Sequence, residues 1–211
     1  THVLTKTYDM QVKQYIAGTT LIQPKPPSND ELFRSYGTEI NKIKSISDEI
    51  IYHPAKYKIL FGDKAAPDLQ VKFKIVKNTS MVINDNELKS DIIEAINKFF
   101  DIENWDFGET FYFQELSAYI INQLSPKLVS ILIVPRQTTQ SFGSLFEIKS
   151  EPDEIFASAA KVSDIETIDQ ITATNLQATG AVINTVSTST TAGITSSAST
   201  TTNSTGGGYS Y

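Results

Sequence analysis

Two helical patterns meet at Trp105-Asp106-Phe107-Gly108-Glu109-Thr110-Phe111-Tyr112, and an almost wholly apolar run follows the second of them. No other stretch restricts the fold as much. Gly108 permits a sharp backbone turn that a residue with a Cβ would resist. On the N-terminal side, Asn84-Asp85-Asn86-Glu87 offers several N-caps, and Leu88, Ile92, Ile96 and Phe99 then share one helical stripe, flanked by Ile93 and Phe100. On the C-terminal side, Phe113, Leu116, Ile120 and Leu124, with Tyr119 and Ile121, define a second helix that Ser125-Pro126 stops. The spacing predicts a helix-to-helix corner turning at Gly108.

Leu128 to Val134 is apolar at every position except Ser130, so this strand is expected inside a sheet, covered on both faces and ended by Pro135. Upstream, Leu69, Val71, Phe73 and Ile75 alternate with Gln70, Lys72 and Lys74, which predicts a strand with one buried and one wet face. Lys56 to Phe61 reads as another strand, separated from it by a turn-rich segment with Gly62, Asp63 and Pro67. Downstream, Phe142-Gly143 introduces Leu145 to Ile148, Glu151-Pro152-Asp153 reads as a turn, and Ile155 to Ala160 and Ile165 to Ile168 read as strands. Strand, helix, helix, strand and further strands make an α+β pattern.

Nearer the N-terminus, Val3 to Tyr8 alternates as a half-buried strand does. Gln23-Pro24-Lys25-Pro26-Pro27 lacks three backbone donors and reads as a linker or a sheet edge. Ser28-Asn29-Asp30-Glu31 has the capping-box arrangement, and Phe33, Tyr36, Ile40, Ile43 and Ile50 follow at helical spacing. One helix or two short ones are expected there, with Gly37 and Ser45 to Ser47 as weak points and Pro54 as the end. Three regions result: an N-terminal α/β segment (1–68), an α+β domain (69–170) and a Ser/Thr/Gly-rich tail (171–211).

The tail is set apart by charge, since no Asp, Glu, Lys or Arg occurs from Gln170 to Tyr211. Leu176, Val182, Ile183, Val186 and Ile194 are scattered among residues of good β propensity. One reading is a flexible tail ending in Gly206-Gly207-Gly208; the other is a segment that orders only by adding to a neighbouring chain. A mixture is expected, with Ile171 to about Val186 ordered against another subunit and the remainder ordered only if a further partner covers it.

Signals for chemistry are few. A net charge of -6 and a pI near 5.0 argue against a nucleic-acid partner, and the Lys72, Lys74, Lys77 row reads as a solvated strand face. Cysteine is absent, which excludes disulfides, thiolate metal sites and a cysteine nucleophile, and suits a reducing compartment. No apolar run is long enough to span a bilayer, and the first residues lack a signal-peptide layout, so no membrane partner is expected. His2 and His53 do not form a helical pair suited to zinc, and no Gly-x-Ser-x-Gly elbow presents a serine. Asp101, Glu103, Asp106 and Glu109 cluster at the corner, but the glycine falls late for a calcium loop and Trp105 takes a ligand position. They read as helix caps and solvated groups. Asn78-Thr79-Ser80 and Asn203-Ser204-Thr205 match a glycosylation sequon by chance. No catalytic residue, cofactor or metal ligand is assigned.

The run Val71 to Ile75, the helix Asp91 to Phe100, the corner Trp105 to Tyr112, the helix to Leu124 and Ile131-Leu132-Ile133-Val134-Pro135 together resemble the C-terminal region of baseplate J-like proteins. Phe142-Gly143-Ser144-Leu145-Phe146-Glu147-Ile148 and Asp164-Ile165-Glu166-Thr167-Ile168 sharpen the resemblance toward the wedge subunits of T-even-type contractile-tailed phages. It covers about Leu69 to Gly180 and rests on residue types, not on a catalytic signature. Members of that family extend further at the N-terminus, and this chain starts at Thr1, so it is expected to be the C-terminal portion of a longer one.

The resemblance implies a non-enzymatic virion protein of the tail baseplate, assembled in the host cytoplasm without a cofactor. Its copies would join each other, as a homodimer or in ring contacts, and would join other wedge proteins in a ring that rearranges when the sheath contracts. Trp105, Phe107, Gly108 and Phe111 at the corner, and Leu176, Val182, Ile183 and Val186 in the tail, are then interface or hinge candidates; Pro24 to Pro27 and Ser125-Pro126 are further hinge candidates. A receptor-binding or fibre-attachment tail module is the nearer alternative, although a fibre should show internal repeats and none is visible. A soluble carboxylate-dependent enzyme would need converging titratable groups, and only the corner carboxylates are on offer.

Overall fold

The computed structural model describes residues 1–44, 51–136, 147–171 and 182–185. A short strand β1 (His2–Val3) leads into helix α1 (Lys6–Ile16), and an irregular proline-rich stretch joins it to α2 (Asn29–Lys44). Strands β2 (His53–Pro54), β3 (Lys56–Leu60) and β4 (Val71–Lys77) precede α3 (Asp85–Phe99). At the corner, β5 (Thr110–Tyr112) runs directly into α4 (Phe113–Leu124). Then come β6 (Leu128–Pro135), β7 (Glu147–Lys149), β8 (Glu154–Ser158), β9 (Ile165–Thr167) and β10 (Val182–Thr185). The fold is α+β, as the pattern predicts.

The main sheet has the order β10-β6-β4-β9, with β6 antiparallel to both neighbours and β9 parallel to β4. Register sets Phe73 opposite Ile133 and Ile75 opposite Ile131, so these four share one face. They join Leu88, Ile92 and Ile96 of α3 and Leu116 and Ile120 of α4 in one core. Each of these helix residues is fully buried, worth about 1.5 to 3 kcal/mol apiece by area. On the sheet's other face Leu132 and Val134 are buried as well, so β6 is covered on both sides as its sequence predicts. In the lysine row of β4, Lys72 donates to the Ser163 carbonyl at 2.8 Å and Lys77 to the Asp85 carboxylate at 2.6 Å.

Beside this sheet, β3 pairs in parallel with β8. At its end Phe61 and Gly62 adopt positive φ, +65° and +51°, a turn that aims the Phe61 ring into the core. There it meets Phe73 edge-on, with centroids 5.3 Å apart. A Cβ on Gly62 would lie 1.9 Å from the Ala159 carbonyl oxygen, so this approach of two chain segments requires glycine. Leu60 and Phe61 thus belong to the same core as β4 and β6, and the domain boundary expected between residues 68 and 69 cuts through shared packing.

Two N-terminal expectations are corrected. The strand expected over Val3 to Tyr8 stops at Val3: the Thr5 hydroxyl accepts the Tyr8 N–H at 3.3 Å as an N-cap, and Tyr8 and Val12 bury one face of α1 against Ile59, Ala65 and Ala159. In α2 the capping box forms as predicted, with the Ser28 N–H donating to the Glu31 carboxylate at 2.9 Å and the Glu31 N–H to the Ser28 hydroxyl at 3.3 Å. Its buried stripe, however, is Leu32 and Ile40 with Tyr36, packed on Tyr52 and Val3. Phe33 and Ile43, predicted on that stripe, stay 45% and 55% exposed, because the neighbouring strands β1 and β2 meet the helix one residue round from Phe33. Ile50 and the Ser45 to Ser47 weak point lie outside the described residues.

Candidate functional site

The corner is built from the end of α3 outward. Phe100 closes the helix, its N–H donating to the Ile96 carbonyl at 3.1 Å. Asp101 then caps a single 3-10 turn, Ile102–Asn104, by accepting the Glu103 N–H at 3.2 Å. The chain folds back so that the Trp105 indole N–H donates to the Phe99 carbonyl at 2.8 Å. The indole stacks on Phe100 (5.5 Å, 12°) and stands edge-on to Phe156 (5.1 Å, 82°). Phe111 is fully buried at the centre, 5.1 Å from the Phe100 ring and 4.9 Å from Phe113. Such ring pairs add about 0.5 to 1.5 kcal/mol each beyond their area.

Gly108 makes the turn with φ +79°, its N–H donating to the Glu154 carbonyl at 3.2 Å. The segment after it is more than a loop between helices, since β5 pairs antiparallel with β7, Phe111 opposite Ile148. Ser150 fastens this pair by donating its N–H (3.1 Å) and its hydroxyl (2.7 Å) to the Glu109 carbonyl. Two of the four corner carboxylates cap: besides Asp101, Glu109 accepts the Asp106 N–H at 2.8 Å, while Glu103 and Asp106 are exposed. Among the described residues no three or more His, Asp or Glu are grouped as metal ligands.

Of the corner candidates, Trp105 and Phe111 converge and Gly108 pivots between them, whereas Phe107 departs. It turns out of the aromatic cluster and meets His2, centroids 5.8 Å apart. His2 also lies in register with His53 across the β1–β2 pair, 6.0 Å ring to ring, a meeting that nothing in their sequence positions foretells. Of the tail candidates, Val182 and Ile183 lie in β10, paired through their backbone with Ile133 and Leu132 of the same chain. That pairing is within one chain, whereas the expectation for this segment is order against another subunit. Leu176 and Val186 lie outside the described residues.

Two recesses flank this region. The first, about 580 Å³, opens on the α3–α4 side and is walled by Phe99, Trp105, Tyr112 and Tyr119, with Glu109, Glu115 and Lys98 on its rim. The second, about 480 Å³, lies between α1, β3, β8 and the end of α3. In it the Tyr57 hydroxyl donates to Asp9 at 2.6 Å, and Lys13 donates to the same carboxylate at 2.9 Å. Burial, and then the bond to Asp9, push the Tyr57 phenol far above its ordinary value, so it stays protonated. These three groups satisfy one another and tie α1 to β3. No family model, curated protein or solved structure matches the chain.

Proposed function

We propose that the chain is a structural subunit of a contractile-tail baseplate, of the wedge kind, whose copies join each other and neighbouring wedge proteins in the baseplate ring. One observation carries this reading. Stretches on which the resemblance rests, Val71–Ile75, Asp91–Phe100, the corner, the helix to Leu124, Ile131–Pro135 and β9, pack around a single core. A ring element has to hold its shape while its contacts rearrange, and a corner fixed by the rings of Phe100, Trp105, Phe111, Phe113 and Phe156 and by a strand pair suits that demand. The titratable groups beside the recesses favour a non-enzymatic role, since Asp9, Tyr57 and Lys13 engage one another and Asp101 and Glu109 cap backbone amides.

Antibodies raised against the purified chain test the assignment on virions from the source of the sequence. Electron microscopy should show them decorating the baseplate end of contractile tails. Decoration of fibre tips would favour a receptor-binding module, and tails left unlabelled alongside a labelled control protein would overturn the proposal.

A further inference from the structure

The recess at the corner has a composition that neither helix packing nor the proposed ring contact accounts for. Phe99, Trp105 and Tyr119 are half-buried, unlike the neighbouring Phe111, Phe113 and Phe156, which are sealed in the core. Their rings are mutually inclined: Trp105 at 67° and Tyr119 at 57° to the central Phe99, with centroids 5.6 and 5.4 Å away. These three rings line one side of the recess as an aromatic wall, and Tyr112, 41% exposed, lines it with them. Two carboxylates, Glu109 and Glu115, share the rim with one ammonium, Lys98.

Aromatic faces present negative quadrupole charge to a cation held within about 6 Å of a ring centroid. The rim adds a net negative charge, and the chain as a whole carries -6. We infer that this recess receives the arginine side chain of a partner chain, with the guanidinium against the aromatic wall and Glu115 on its rim. Arginine fits better than lysine, because its planar, weakly hydrated guanidinium stacks on rings and offers paired N–H donors to a carboxylate. The Glu109 carboxylate already accepts the Asp106 N–H, so Glu115, exposed on the first turn of α4, is the group free to swing toward the guest. Nothing in this inference depends on which assembly the chain enters.

Trp105 is the only tryptophan, so its fluorescence reports from the wall of the recess itself. The full chain is titrated with N-acetyl-arginine amide, with the citrulline analogue as a neutral isostere, and with the peptide Gly-Gly-Arg-Gly-Gly. Arginine amide should give a saturable change in the range of about 1 to 20 mM, as befits a single small contact. The peptide should bind no more weakly, and citrulline several times more weakly. Glu115→Gln and Tyr119→Leu should each weaken the arginine response about two- to fivefold, the size of an exposed cation–aromatic or charged contact. Should Tyr119→Leu lose its fold, Glu115→Gln and the citrulline comparison decide alone. Equal responses to arginine and citrulline, no saturation by about 50 mM, or binding of the amide without the peptide would each overturn the inference.

Discussion

The indole N–H of Trp105 reaches back to the carbonyl oxygen of Phe99, 2.8 Å away, and so closes a loop of six residues onto the last residue of α3. That bond satisfies a helix-terminal carbonyl and sets the indole flat on Phe100. Trp105→Phe keeps a ring but leaves the carbonyl without its donor, and should cost about 1 kcal/mol. Trp105→Ala also opens space beside Phe100, Phe111 and Phe156, and about 3 kcal/mol is expected, the low end for tryptophan because the ring is only half-buried. Urea unfolding of both variants checks the order; equal losses would show that the hydrogen bond, not the ring, holds the corner.

Gly62 is the most exacting of the described glycines. Any side chain there must accept φ near +51° and also displace the Ala159 carbonyl, whose neighbouring N–H binds the Leu60 carbonyl at 2.8 Å. Gly62→Ala should lose more than about 2 kcal/mol from backbone strain and the broken approach together. Gly37→Ala serves as the control, since nothing lies within 4 Å of its Cβ position, and should be neutral or slightly stabilising in its helix.

Acid should act through Glu154 at the start of β8. Burial works against its ionisation, but the Glu151 N–H at 2.9 Å and the Lys58 ammonium at 3.2 Å outweigh it and hold the carboxyl below its ordinary value of 4.5. A carboxyl depressed in the folded state contributes stability that is present above the ordinary value and is lost as pH falls through the folded one. Unfolding free energies measured from about pH 7 down to about pH 3 should decline on the acid side, and Glu154→Gln should shallow that decline while lowering stability at neutral pH. An unchanged acid slope in the variant would mean that other carboxylates carry it.

Backbone pairing of Val182–Thr185 with Ser130–Ile133 predicts protection from hydrogen exchange in the isolated chain, at a level independent of its concentration. A chain stopped after Asp169 should lose that protection along β6 and about 1 kcal/mol or more of stability. Protection that rises with concentration would return the segment to intermolecular pairing.

Much of this architecture is legible in the sequence where a period persists. Leu88, Ile92 and Ile96 hold a helical stripe for about two turns, and the apolar run at Leu128–Val134 has few solutions other than a central strand. Six alternating residues at Val3 to Tyr8 were a weaker signal, and one hydroxyl, that of Thr5, tips them into a helix whose burial continues to Val12. Parallel pairing of β3 with β8 joins residues nearly a hundred positions apart, and the positive φ of Phe61 serves that pairing; no local pattern encodes either. Within the corner, Trp105 and Phe111 stand out in sequence. Tyr119 and Glu115 join the recess only because α4 packs beside α3, which the period alone leaves open.

That copies of this chain join each other is tested most directly by its mass in solution. Light scattering on the purified chain at about 50 μM, a concentration where modest interfaces are populated, should give at least twice the 23.3 kDa of one copy. A mass of one copy throughout would contradict direct self-association and leave the chain to be built into an assembly by other proteins alone.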